Sequence, residues 1–149
     1  MLIQDRLTRG FFAGLAGGVA MNIVNLISYY AGIAELRFLD WAAHTIYGTK
    51  PQNFAETVFA QGVQLIFVSI LGIIFAYLIP LLTSRNYLFR GWLYGTIIWF
   101  SLYGLSMLFK IEATTPLRMG TVATDLVGAS VFGLVLAEAL HRWGEDIKV

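Results

Sequence analysis

One carboxylate lies inside an otherwise charge-free apolar run: Asp125 interrupts Met119 to Ala137. An ionisable side chain is costly in hydrocarbon and is by default a candidate functional site, so the first chemistry to weigh is a proton or cation site. At about 1.5 Å per residue, Asp125 stands about 13 Å along a helix begun at Pro116, and Gln64 about 15 Å along one begun at Phe54. Asn22 and Asn25 climb from the opposite side to similar levels. Asn22, Asn25, Gln61, Gln64, Thr121 and Asp125 are therefore expected to converge in the outer half of a helix bundle. A second chemistry uses the same side chains: a hydrogen-bonded clasp, because amides, hydroxyls and carboxyls commonly join helices in a bilayer. The clasp is the favoured reading. No intramembrane Lys or Arg accompanies Asp125, and Arg118, seven residues earlier, is expected to reach toward it from the interface.

The elements that must position these residues are set by composition. The chain has 149 residues, of which 58% are hydrophobic and only 13% charged, with a mean hydropathy of +0.71. Soluble domains carry roughly 25% charged residues, so this is a membrane protein by composition. The charge-free runs Gly10 to Ala34, Thr57 to Ser84 and Gly91 to Phe109 hold 25, 28 and 19 residues, against roughly 20 needed to cross the hydrocarbon. With the run around Asp125 they predict four transmembrane helices, at about 10–34, 54–80, 91–109 and 116–140. These use almost the whole chain, so residues 1–149 are expected to form one integral membrane domain. The first run is too long for a secretory signal, whose apolar region spans roughly 7–15 residues. A net charge of +1 leaves no footprint for nucleic acid, and the absence of cysteine excludes disulfides and thiolate metal sites.

Orientation follows from the basic residues in the connections. With the N-terminus inside, Arg6, Arg9, Arg85, Arg90, Arg142 and Lys148 face the cytoplasm, against Arg37, Lys50, Lys110 and Arg118 outside. Both termini are expected inside. Tyr29, Tyr30, Tyr77, Tyr87, Trp92 and Trp143 fall at the interfaces. Local signals mark the helix ends: Asn53 with Glu56 three residues on reads as a capping box, Thr115 and Pro116 read as a cap and first helical residue, and Pro80 closes the second span. Between the first two spans, Leu36, Leu39, Ala43, Ile46 and Tyr47 recur at helical spacing, with Arg37, Asp40 and His44 on another face. This predicts a helix over about 36–47, too short to span, lying in the outer interface on Trp41 and Tyr47.

The chain also repeats itself. "RGFFAG" at Arg9 matches "RGWLYG" at Arg90, and "QLIFVSILGIIFA" at Gln64 aligns without a gap with "DLVGASVFGLVLA" at Asp125. The offsets are 81 and 61 residues. A two-helix hairpin used twice, both copies starting inside, is the parallel repeat seen in some transporters. Within the first copy Gly10, Gly14, Gly18 and Asn22 recur every four residues and so share one helix face. Such a groove lets a neighbouring backbone approach closely, from the same chain or from a second copy.

Other residues offer weaker chemistry. His44 and Asp40 make half a metal site, but His141 belongs to the opposite face in this topology, and three or four ligands are usual; a solvated polar face is the expected reading. Glu56 is assigned to its capping box and Glu138 to an i, i+4 pair with Arg142. No nucleophile–base pair, phosphate-binding loop or haem-ligand pair falls within one leaflet. An enzyme is not expected, and no metal or cofactor is assigned.

"RGFFAGLAGG" opening helix 1, "GWLYGTIIWF" opening the third span and "FGLVLAEAL" closing the fourth make the chain resemble the small four-helix membrane proteins of Firmicutes exemplified by the YqhR family. The resemblance implies a bacterial plasma membrane and brings no catalytic residues. The expectation is thus an all-α, polytopic four-helix bundle: two tandem hairpins plus a short external interfacial helix. Its expected role is structural or partner-binding, with the lipid bilayer around it and a second copy or another membrane protein as partner through the glycine-rich faces. The alternative is a small oligomeric ion- or proton-coupled channel or carrier using Asp125.

Overall fold

The computed structural model describes residues 5–82, 84–109 and 118–143, and all its regular elements are helical. α1 runs Arg6–Tyr30, α2 Phe38–Tyr47, α3 Phe54–Leu78 with a 3-10 turn at Ile79–Leu81, α4 Tyr87–Leu108 and α5 Met119–Trp143. Three of them, α1, α3 with its turn, and α5, are long and apolar enough to cross a membrane. α4 has 22 residues but is diluted by tyrosine, tryptophan, serine and glycine, which lowers its hydropathy below theirs. The expected caps Thr115 and Pro116, and the basic residues Lys110 and Lys148, lie outside the described residues.

Helix ends follow side-chain chemistry more closely than hydropathy. α1 starts four residues before the apolar run because Asp5 caps it, accepting hydrogen bonds from Thr8 N at 2.8 Å and Thr8 Oγ1 at 2.6 Å. It ends before that run does, because Gly32 takes a φ of 79° and the amides of Gly32 and Ile33 turn back to Tyr29 O and Ser28 O, closing the last turn. Asn53 caps α3 through Glu56 N at 2.9 Å; the Glu56 carboxylate accepts from Gln52 N, so the expected box is formed one residue displaced. Pro80 sits in the 3-10 turn that ends α3.

α2 differs from its expected solvated polar face. Asp40 is fully buried, because its carboxylate caps its own helix, accepting from Arg37 N at 2.8 Å, and pairs with the Arg37 guanidinium at 3.0 Å. The guanidinium lies over the Tyr29 ring. His44 Nδ1 is engaged by Asp40 O of its own helix.

The long helices pack in the order α3, α1, α5, α4, and α2 lies on α3. Small residues bring the backbones together. A Cβ on Gly10 would stand 2.7 Å from Ile73 Cα, and one on Gly14 2.9 Å from Gly72 Cα. Both distances are shorter than real side chains tolerate. Gly18 meets Val68 in the same seam. The ladder face is therefore filled by α3 of the same chain, which leaves it closed to the second copy that the glycine spacing would also have suited.

α4 and α5 repeat this packing residue for residue. Gly10 meets Gly72 and Ala76, and Gly91 meets Gly133 and Ala137; Gly14 meets Val68 and Gly72, and Gly95 meets Ala129 and Gly133. Each α4 residue is 81 positions after its α1 counterpart and each α5 residue 61 after its α3 counterpart. The two-helix unit read from the sequence is thus also a unit of packing.

Candidate functional site

The polar residues occupy the second half of α1 and the first halves of α3 and α5, and they form two clusters. In one, Asn22 Nδ2 donates to Gln64 Oε1 at 2.8 Å and to Gly18 O at 2.7 Å, and Gln61 Nε2 donates to the same Gln64 oxygen at 3.1 Å. In the other, Asp125 accepts from Tyr103 OH and, at 3.4 Å, from Asn25 Nδ2. Thr121 belongs to neither: its hydroxyl accepts from Glu35 N at 2.9 Å and holds the α1–α2 connection to α5. Asn25 holds the same connection from the other side, its Oδ1 accepting from Phe38 N at 2.9 Å.

Asn25, Thr121 and Asp125 are at most 1% exposed. Their polar atoms have left water, and each unmade hydrogen bond there would be costly. Arg118 does not reach Asp125. Its guanidinium pairs instead with Glu35 at 2.9 Å in an exposed position, where the cation keeps its water.

Sequence reading missed Tyr103. The signal was present in the repeat, since Tyr103 lies 81 positions after Asn22 and Asp125 lies 61 after Gln64. The Tyr103–Asp125 hydrogen bond is therefore the counterpart of Asn22–Gln64. A neutral amide pair in one copy has become a phenol–carboxyl pair in the other.

The two seams that join the copies are not alike. Between α1 and α5, Gly17 receives Phe132, and Gly128 receives Met21 and Phe38, so small faces large and the seam closes. The counterparts between α4 and α3 are Ile98 with Leu71 and Leu102 with Phe67, bulky on both sides, and all four line a cleft between these helices. These helices meet toward the α3–α4 turn, where Tyr94 OH donates to Leu71 O at 2.6 Å and the Tyr94 ring packs at a tilt on Phe75. Nearer α2 they part, leaving a cleft of about 490 Å³.

Apolar side chains of α3 and α4 wall this cleft, α2 lies at one end, and Gln64, Tyr103 and Asp125 give its wall a polar patch. Trp41 and Trp99 flank Tyr103, with ring centroids 5.4 and 5.2 Å away. Trp41 Nε1 is buried without a hydrogen-bond partner. No Lys, Arg or His is among the described lining residues. The described residues also hold no group of three His, Asp or Glu side chains suited to a metal.

Apolar helices of spanning length, backbone contact through glycine and buried polar side chains at mid-helix define a helical protein of membrane-crossing type. The chain belongs to the family of unknown function DUF6789, whose sequence profile matches residues 4–148. No curated protein and no solved structure matches it.

Proposed function

We propose that this protein is a four-span integral membrane protein of a bacterial plasma membrane, with both termini inside, that works by binding a lipophilic small molecule and performs no catalysis. The cleft between α3 and α4 is the observation that carries the reading. Its volume and apolar walls are those of a ligand pocket with a few placed polar groups. The fourth span is α4, supported by its length of 22 residues, about 33 Å at 1.5 Å per residue, and by its glycine contacts along α5. α2 is the outer roof of the pocket. Partner binding, if it uses α2, acts on the same element. Self-association through the glycine faces is not part of the proposal, because α3 and α5 fill them.

A carrier that couples a ligand to an ion or proton is the second reading, favoured by the position of Asp125 in the cleft wall. The pocket itself is tested with N-phenyl-1-naphthylamine, a neutral lipophilic fluorophore, added to the protein in detergent. Wild type is expected to show saturable energy transfer from tryptophan to the dye. Val63→Trp with Leu102→Trp, which fills the cleft from both walls, should abolish it in a folded protein. Equal transfer in the filled protein would place the dye elsewhere and sink the reading.

A further inference from the structure

We infer that the cleft selects lipophilic organic cations, with Asp125 as counter-charge and Trp41, Trp99 and Tyr103 as the aromatic faces that receive the cationic centre. The inference rests on the pocket reading above and adds the charge and chemical class of the ligand.

Four observations carry it. Asp125 contributes the only acidic side chain to the described lining, and no basic side chain lines the cleft with it. Two cations of the neighbouring segments are already paired, Arg37 with Asp40 and Arg118 with Glu35. The partners of Asp125 are a phenol and an amide, both neutral, so its hydrogen bonds are met without a positive charge. Two indoles and a phenol lie together beside the carboxyl, with Tyr103 common to both ring contacts.

Aromatic faces present negative potential, and a cation over Trp or Tyr is held most strongly where water is excluded. A hydrated metal ion or ammonium would lose its water in such walls, whereas an organic cation with an apolar surface would not. An anion would meet the carboxylate and the ring faces, and a neutral molecule would gain neither interaction. The repeat makes the arrangement specific to one seam. The counterparts of Tyr103, Asp125 and Trp99 are Asn22, Gln64 and Gly18, and the α1–α5 seam that corresponds to the cleft is closed where Gly17 receives Phe132.

The test uses three ions or molecules of one shape: tetraphenylphosphonium, tetraphenylsilane and tetraphenylborate, bearing positive, zero and negative charge. Binding to the full chain in neutral detergent is read by displacement of N-phenyl-1-naphthylamine and by tryptophan quenching. Wild type is expected to bind the phosphonium at least about tenfold more tightly than the silane, a ratio within reach of one desolvated cation–aromatic contact. The borate is expected to bind worst. Asp125→Asn should lose that preference while still binding the neutral dye. If this variant unfolds, Trp99→Leu provides the second reading: the phosphonium preference should shrink and dye binding should persist.

Dye binding with equal affinity for the three probes overturns the cation assignment and leaves the pocket standing. Absence of dye binding overturns both. A phosphonium preference that survives unchanged in folded Asp125→Asn and Trp99→Leu places the cation outside this cleft and also overturns the assignment.

Discussion

Asp125 and Gln64 occupy equivalent places in the two halves of the chain, yet their surroundings divide their roles. Gln64 receives two amide donors on one oxygen, while Asp125 receives a phenol and a distant amide beside an open cleft. Asparagine keeps an acceptor for Tyr103, so Asp125→Asn should stay folded. Asp125→Leu removes it and strands the half-buried phenol and the buried Asn25, which should cost about 1–3 kcal/mol. Tyr103→Phe deletes a single hydrogen bond and should cost about 1 kcal/mol. Chemical denaturation in micelles ranks the three; a Leu variant as stable as the Asn variant would remove the clasp from the account. At the N-terminus the hydrogen bonds from Thr8 hold the Asp5 carboxyl below its ordinary pKa of 3.8. A group lowered in the folded state stabilises above its unfolded pKa and loses that contribution as pH falls through the folded value. Fraying of the first turn of α1 should therefore increase on acidification below about pH 4 in wild type, whereas Asp5→Ala, which lacks the cap, should fray throughout with little pH dependence, as read by amide hydrogen exchange over residues 6–10.

At the scale of the elements, glycines are not equivalent, and their differences can be measured. Gly14 and Gly72 touch each other's backbones, so Gly14→Ala and Gly72→Ala must push α1 from α3. Gly62 and Gly104 sit in helices with no atom within 4 Å of an added Cβ. There alanine meets no obstacle and gains helix propensity of up to about 1 kcal/mol. Thermal unfolding should thus shift down by several degrees for Gly14→Ala and Gly72→Ala, and stay or rise for Gly62→Ala and Gly104→Ala. A common response at all four sites would mean that the α1–α3 backbones are not in contact. The ladder in α1 could be read from its spacing; that α3 of the same chain fills it could not, because a small-residue face suits a partner helix from either source. The expected polar face of α2 failed for a related reason. Helical spacing put Asp40 beside His44, but the carboxylate's best partners were its own helix's first turn and Arg37, and these drew it inward.

For the whole molecule, four spans require the α1–α3 connection and the α3–α4 turn to lie on opposite sides of the membrane. The cysteine-free chain allows single reporters. His44→Cys should react with an impermeant thiol reagent in intact cells and Asn86→Cys only after lysis. The reverse would invert the topology, and reaction of both in intact cells would mean that α3, the helix between the two reporters, does not cross the membrane.

Membrane class, helix number, approximate helix bounds, the short helix between the first two long ones and the two-fold use of one hairpin all follow from local hydropathy, capping residues and internal identity. They depend on neighbours within a turn or on positions that can be compared directly. The partners of Asn22, Asn25, Gln61, Gln64, Thr121 and Asp125 did not follow in detail, because depth along a helix sets the level of a side chain and leaves open which neighbour it faces. Tertiary packing decided that the six divide into two clusters and one tether, and that Tyr103 completes one of the clusters. It also decided that one seam of the repeat closes while the other opens. That last outcome depends on pairs of side-chain volumes met across helices far apart in sequence: Gly17 accommodates Phe132, whereas the equivalent Ile98 and Leu71 are both bulky and line the cleft.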